Sequence, residues 1–370
     1  MNYNWQQIDW PEFIFDLREI DDTLFEFAGE TGHISGMLNA MSEDMKMEAI
    51  INTMVAEAIK TSEIEGAYFS RQDVMSSIRN GLGLNKKQDL VKDKKALGAG
   101  RLMVDVRNTY AAPLTKAKLL QWHEMLMADS KNIQSGKWRT HKAPMQVVSG
   151  AHGREKVHFE APPSARVAKE MEQFITWFND TAPGGENEIK KAPVRAAIAH
   201  LYFESIHPFE DGNGRIGRAI AEKALSQTLG RPVLLSLSRT IEGDKKAYYQ
   251  ALEHGQRNNQ VTEWIKYFAT TTLQAQQQAR VLTDFIIRKT KFFDRFKAQL
   301  NDRQLKAVKK MFDAGAAGFA GGLNAQKYMS ITRTSKSTAT RDLQHLAAIE
   351  ALTAQGGGRS TAYELNLGNG

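Results

Sequence analysis

Apolar positions recur at the 3.6-residue spacing of a helix along most of the chain. In "EDMKMEAIINTMVAEAIKTSEIEG" (Glu43 to Gly66), Met47, Ile50, Ile51, Met54, Val55, Ala58 and Ile59 keep that period, and Gly66 stands where the helix would stop. Residues 11–80 as a whole read as helical, with "FSRQDVMSSIRNGLGL" a shorter helix ending at Gly81 and Gly83. "KKQDLVKDKKA" reads as a charged connector. "LLQWHEMLMAD", "SARVAKEMEQFITWFND", "APVRAAIAHLYFESI", "GRAIAEKALSQTLG", "KKAYYQALEHG" and a long run from Val261 carry further helices. One stretch, Gly136 to Pro163, breaks the pattern. Its runs "MQVV" and "KVHF" flank the glycine-bearing "SGAHG", which predicts a β-hairpin.

The texture changes beyond about Lys297. "NDRQLKAVKKMFDAG", "NAQKYMSI" and "SKSTATRDLQHLAAI" read as three helices, the last two joined by a tight turn, and "EALTAQGGGRSTAYELN" reads as two strands around a glycine-rich tip. This order suits a winged helix-turn-helix. Ser335 is a candidate N-cap. Ala339, Leu343 and Leu346 would face inward, leaving Lys336, Ser337, Thr338 and Arg341 free to approach a groove, with Arg359 on the tip against phosphates. Charge agrees. Residues 281–370 hold 14 Lys+Arg against 7 Asp+Glu, so the formal excess of +7 lies entirely in the last quarter. On charge alone a local basic excess is more often a solvated, lysine-rich surface, but with the winged-helix pattern it points to an anionic partner, DNA through residues 297–370, with a protein-contact or dimer-packing winged helix an equal alternative. Composition is that of a globular protein, with 42% hydrophobic and 25% charged residues. No run approaches a membrane span, and "MNYNWQQIDWPEF" has neither the basic nor the apolar region of a secretory leader. The absence of Cys excludes disulfides and thiolate catalysis and fits a cytoplasmic location.

The chemistry concentrates in "HPFEDGNGRIGR", His207 to Arg218. Gly212, Asn213 and Gly214 lie where a loop enters a helix, so their N–H groups can form an anion nest at its N-terminus. Arg215 and Arg218 are three apart on that helix and suit a polyphosphate. Asp211 just before the nest would repel phosphate unless a hard cation lay between, which points to Mg²⁺. His207, at the end of the preceding helix, is the group able to take a proton near neutral pH. Taken singly, a Gly-Asn-Gly turn is most often only a turn, and an Arg pair a solvated face. The case rests on their occurring within twelve residues.

This stretch resembles the Fic-family signature at every defined position, and the resemblance extends over most of residues 40–275. It implies a helical core with a small β-hairpin flap, and transfer of AMP from ATP to a hydroxyl of a target protein. His207 would be the base and Asp211 the Mg²⁺ ligand. Gly212, Asn213, Gly214, Arg215 and Arg218 would hold the ATP phosphates, and Tyr249 and Gln256 would lie on the adenine side, Gln256 standing where an Asn is expected. Val147, Val148, Val157 and Phe159 of the flap would dock the target by strand addition. Upstream, "TSEIEG" resembles the family's inhibitory signature through Thr61, Glu65 and Gly66; Glu65 would pair with Arg218 in cis. Bottom-up, Glu63 and Glu65 at the negative end of a helix dipole want a nearby cation.

The resulting expectation is a mainly α protein: residues 1–90 an N-terminal helical region carrying the inhibitory motif, 91–280 a Fic core, and 281–370 a linker helix and winged-helix domain. Its expected partners are ATP, a target protein with an acceptor hydroxyl and DNA, with a homodimer as an option and no membrane. Other readings are AMP removal at the same site, another nucleotide donor, or a DNA-binding regulator whose Fic part senses nucleotide. An intact His207 disfavours the last, because sensing needs no base.

Overall fold

The computed structural model describes residues 3–150, 156–357 and 361–368. The protein is mainly helical and divides into two compact units. The first comprises the chain up to Gly32 together with Ile50–Ala279, and the second His33–Ala49 together with the chain from Arg280. The helices α1 (Asp21–Ala40), α2 (Glu43–Ile64), α3 (Arg71–Gly81), α4 (Lys94–Asn108) and α5 (Lys116–Met127) come first. A hairpin follows, β1 (Gln146–Ser149) antiparallel to β2 (Lys156–Glu160), then α6 (Ser164–Asp180), α7 (Ala192–Ile206), α8 (Asn213–Thr228), α9 (Leu237–Gly243) and α10 (Lys245–Gly255). The 35-residue α11 (Thr262–Phe296) runs on into the second unit's segment.

The first unit is built around α7. Every residue from Ala192 to Ile206 is buried, and α8 packs against it as its main neighbour. A helix buried on all sides lies at the centre of its unit. Residues 11–20, expected as helix, are not: α1 begins only at Asp21. Ile14 instead exchanges backbone hydrogen bonds with Asn259 and Val261, at 2.8 and 2.9 Å, in a lone parallel bridge to Gln260. Pro11 has no N–H to donate to a helix and favours this extended path. The pattern also missed α4, whose Gly98 and Gly100 lower helix propensity. Both are packing requirements: a Cβ at 98 would lie 2.0 Å from the Met125 carbonyl oxygen, and one at 100 would lie 2.4 Å from Ser77 Oγ.

In the second unit, α12 (Asp302–Phe312), α13 (Ala325–Thr332) and α14 (Lys336–Ala348) precede a hairpin of β3 (Leu352–Gln355) and β4 (Ala362–Leu365). Val308, Met311, Phe312, Tyr328, Leu343 and Leu346 share one core with Phe292 and Phe296. Ser335 caps α14, accepting from Thr338 N, and Ala339, Leu343 and Leu346 point inward as the pattern predicts. The expected tip residue Arg359 lies outside the described residues, as does the 151–155 tip of the first hairpin.

Candidate active site

The His207 turn is set by where α7 must stop. His207 caps that helix in the left-handed region (φ 50°), a conformation costing a non-glycine residue about 1–3 kcal/mol unless its surroundings hold it. Arg139 holds it. Its Nε donates to the His207 carbonyl at 2.8 Å, one terminal nitrogen donates to the carbonyls of Ile206 (3.2 Å) and Pro162 (2.5 Å), and its backbone N–H donates to Pro208 O at 2.9 Å. The guanidinium thus satisfies carbonyls that every helix end leaves open. Nothing in "GKWRTHK" distinguished Arg139 from a surface residue, and its spacing carried no signal of this role.

Asn213 closes the loop that follows. Its side-chain oxygen accepts from Phe209 N and its amide donates to Phe209 O, both at 2.9 Å. That side chain is therefore occupied in shaping the turn, and the nest is left to the backbone. Phe209 is fully buried, stacked on His123 with centroids 4.0 Å apart and tilted against Trp138. Gly212 is the N-cap of α8 at φ 83°, where a Cβ would also strike Met127 Cε at 2.6 Å.

The expected contact between Glu65 and Arg218 is present. Glu65 Oε1 accepts from Arg218 Nη2 at 2.7 Å, Thr61 Oγ1 accepts from Nε at 2.8 Å, and the Thr61 carbonyl accepts from Nη2 at 2.9 Å. The Arg218 side chain is 1% exposed and that of Glu65 28%. Burial works to lower the Arg218 pKa, but Glu65, Tyr248 and Glu204 together outweigh it and hold the guanidinium above its usual range. Gly214 lets this pair close, because a Cβ there would lie 2.2 Å from Glu65 Oε1. Gly66 follows at φ 77°. Asp211 Oδ1 meets Arg215 at 3.3 Å, and the Asp211 side chain is half exposed.

His207 and Glu65 line a cavity of about 800 Å³, together with Glu204, Gly214, Tyr249, Gln256 and both hairpin strands. Burial, reinforced by Arg139, lowers the His207 pKa to about 4, so its ring is neutral at pH 7. Tyr249 is 41% exposed on the cavity wall, whereas Gln256 is buried and donates to the Glu204 carbonyl at 3.2 Å. Of the hairpin residues, Val148 and Val157 are exposed and Val147 is half-buried. Phe159 differs from expectation: it is 1% exposed and seated with Trp5 and Ala161, so it anchors the hairpin rather than presenting a docking face. His158 adds a second anchor, its Nδ1 2.8 Å from Glu253 Oε2.

A helix N-terminus with glycines and two arginines, beside a neutral imidazole in a large cavity, has the chemistry suited to an anion with a proton acceptor next to it. Residues 113–225 match the model of the Fic/DOC family, and residues 3–84 match a Domain of unknown function (DUF4172). Among curated proteins, the chain is 27% identical over 152 residues to protein adenylyltransferase fic-1 of Caenorhabditis briggsae, a match covering 41% of this chain and 26% of the relative. It is 22% identical over 188 residues to protein adenylyltransferase Fic of Nematostella vectensis, covering 50% of this chain and 39% of the relative. The match thus spans well under half of these relatives' length. Two solved structures share the fold. One is a Fic family protein of Desulfovibrio desulfuricans (TM-score 0.53, 20% identity, covering 96% of this chain and 98% of that one). The other is a Fic domain containing signaling protein of Bacteroides thetaiotaomicron (TM-score 0.53, 16% identity, covering 70% of this chain and 95% of that one).

Proposed function

We propose that the protein transfers AMP from ATP to a Ser, Thr or Tyr hydroxyl of a target protein, and that Glu65 restrains this activity in cis. The observation that carries the reading is the neutral His207 facing the cavity beside the N-terminus of α8. His207 accepts the proton of the target hydroxyl while that oxygen attacks the α-phosphorus. The bond from the α-phosphorus to the bridging oxygen breaks, and pyrophosphate leaves. Backbone N–H groups at Gly212–Gly214 receive phosphate oxygens, Arg215 and Arg218 take the outer phosphates, and the adenine lies toward Tyr249. The curated relatives named protein adenylyltransferases support the reaction class.

Among the described residues, no group of three His, Cys, Asp or Glu is placed to hold a metal unaided. Mg²⁺ does not require one: it keeps several waters and needs only one or two carboxylates beside substrate phosphates. Half-exposed Asp211, next to the nest, fits that part. Bound there, Mg²⁺ would neutralise charge on the departing pyrophosphate.

Incubation with α-labelled ATP and lysate tests the reading. Glu65→Gly should raise labelling roughly 5- to 150-fold, the range of a typical coupling free energy. His207→Ala in that background should remove about 10²–10⁴ of the rate. No labelling by Glu65→Gly with His207 intact overturns the proposal.

For the second unit we read a winged helix that binds DNA. The exposed face of α14 carries Lys336, Ser337, Thr340, Arg341 and Gln344, side chains suited to base edges and phosphates. The helix's one carboxylate, Asp342, is turned inward onto Arg303 and Tyr328, each at 2.9 Å. Filter binding to duplex DNA should weaken steeply with salt, and Lys336→Ala with Arg341→Ala should reduce the slope by about two, roughly one for each phosphate that is no longer neutralised. Binding that ignores salt overturns this reading.

A further inference from the structure

The polar layer under the cavity contains a group that the proposed reaction does not yet use. Glu204 lies on α7 one turn before His207, is 4% exposed and lines the cavity. Its Oε2 stands 3.6 Å from His207 Nδ1, and its Oε1 has no hydrogen-bond partner. His207 Nδ1 makes no hydrogen bond of ordinary geometry either, although the backbone of Glu204 lies close enough to favour its protonated form. Across from it, α8 presents Gly217, where a Cβ would fall 2.3 Å from Glu204 Oε1. The motif's otherwise unexplained glycine is therefore the space in which this carboxyl lies.

A histidine that accepts a proton at Nε2 must carry its resting proton at Nδ1, and a buried Nδ1–H needs an acceptor. We propose that the Glu204 carboxyl is that acceptor: a positioning residue that holds His207 in the Nδ1–H tautomer and steadies the imidazolium formed when the target hydroxyl gives up its proton. The proposal rests on the AMP-transfer reading. No proton passes to Glu204. The hydroxyl proton goes to Nε2, the Nδ1 proton stays on the ring, and the contact to the carboxyl shortens, as catalytic hydrogen bonds that are long in the free enzyme do on complex formation.

The charges around the pair connect it to the restraint. Glu204 is faced by Arg218 from α8, Glu65 from the end of α2, and His200 and Tyr248 from α7 and α10, the last two joined at 2.9 Å. His207 is faced by Arg139, Glu65 and Asp211. Burial raises the Glu204 pKa to about 8; Arg218 pulls it down and Glu65 pushes it up. With Glu65 on Arg218, Glu204 is a neutral acid at pH 7 and a weak partner for an imidazolium. Departure of Glu65 removes one anion and frees Arg218, and both changes favour the carboxylate. Glu65 would thus restrain the base as well as occupy an arginine.

The test is an NMR titration of the His207 ring without substrate, in Glu65→Gly and in Glu65→Gly with Glu204→Gln. The near-isosteric Gln keeps the shape and removes the charge, and thermal melts confirm that both variants fold. Where the freed Arg218 brings Glu204 to its carboxylate before the ring titrates, the His207 midpoint should drop by at least about one unit in the double variant, the usual effect of losing an opposite charge at this range. Glu204→Asp, which retains the charge but withdraws it by one methylene, should fall between. In AMP transfer, Glu204→Gln should lower kcat about tenfold with the KM for ATP unchanged, the signature of an interaction made in the transition state. Identical titrations with and without Glu204 overturn the inference whatever the activity. A shifted titration in a protein that transfers no AMP overturns the transfer reading and leaves the Glu204–His207 contact standing.

Discussion

Arg139 fastens the His207 turn from outside the motif that contains it. Its bonds to the carbonyls of Ile206 and His207 hold a left-handed histidine in place, and its bond to Pro162 O ties the same turn to the base of the hairpin. Replacing it with Leu would leave buried carbonyls without donors, at about 1–3 kcal/mol each, so Arg139→Leu should lower unfolding free energy by at least about 2 kcal/mol in urea titration. At this scale the sequence was legible where a residue's role is local. Asp211, the Gly212–Gly214 turn and the two arginines lie within one loop and one helix, and their spacing brings them together. The Arg218–Glu65 contact was legible only through family resemblance, because it joins positions far apart in the chain. Arg139 and Glu204 had no such aid. A buried arginine and a buried glutamate look, in sequence, like any charged residue on a helix or loop.

Elements were readable where one periodicity ruled them. α6 and α7 occupy the segments their apolar patterns predict, and β1 and β2 flank the predicted turn. The failures are physical. α4 hides behind Gly98 and Gly100, which weaken a helix by local propensity but permit close approach to Met125 and Ser77. Residues 11–20 have apolar spacing, yet bond to Asn259 and Val261, partners no local window contains. Gly98→Ala is the sharpest check. Propensity alone would make it stabilising by about 1 kcal/mol. The 2.0 Å approach to a backbone oxygen makes it destabilising instead, by about 1–3 kcal/mol, and a lowered urea midpoint would show which effect wins.

For the molecule as a whole, buried ionisable groups limit stability from both sides of neutrality. Burial lowers the pKa of His123, His200 and His207 to about 4, 3 and 4. Below the ordinary histidine value the unfolded chain binds protons that these rings refuse, so stability falls as pH drops from about 6.5 toward 4. Glu204 and Glu222 are pushed up to about 8 and remain protonated in the fold after the unfolded chain has released its protons. Their contribution is therefore lost as pH rises from about 4.5 through 8. Thermal melts across pH should peak between about 6 and 7.

The N-terminal segment shares that fate, because it is sewn into the same unit. Asn4 is buried and donates to Ser205 Oγ at 2.8 Å, and Trp5 Nε1 donates to the Glu160 carbonyl at 2.7 Å. On α2, the buried Glu57 accepts from Ser236 Oγ at 2.7 Å and from Ser238 N at 3.0 Å. The segment that carries Glu65 is thus also masonry for the domain whose Arg218 it contacts. Proteolytic clipping would not produce a deregulated enzyme: a chain lacking residues 1–66 should emerge as insoluble or molten material by circular dichroism. If Glu65 restrains the site as proposed, activation has to act on the last turn of α2 and leave the rest of the wall standing.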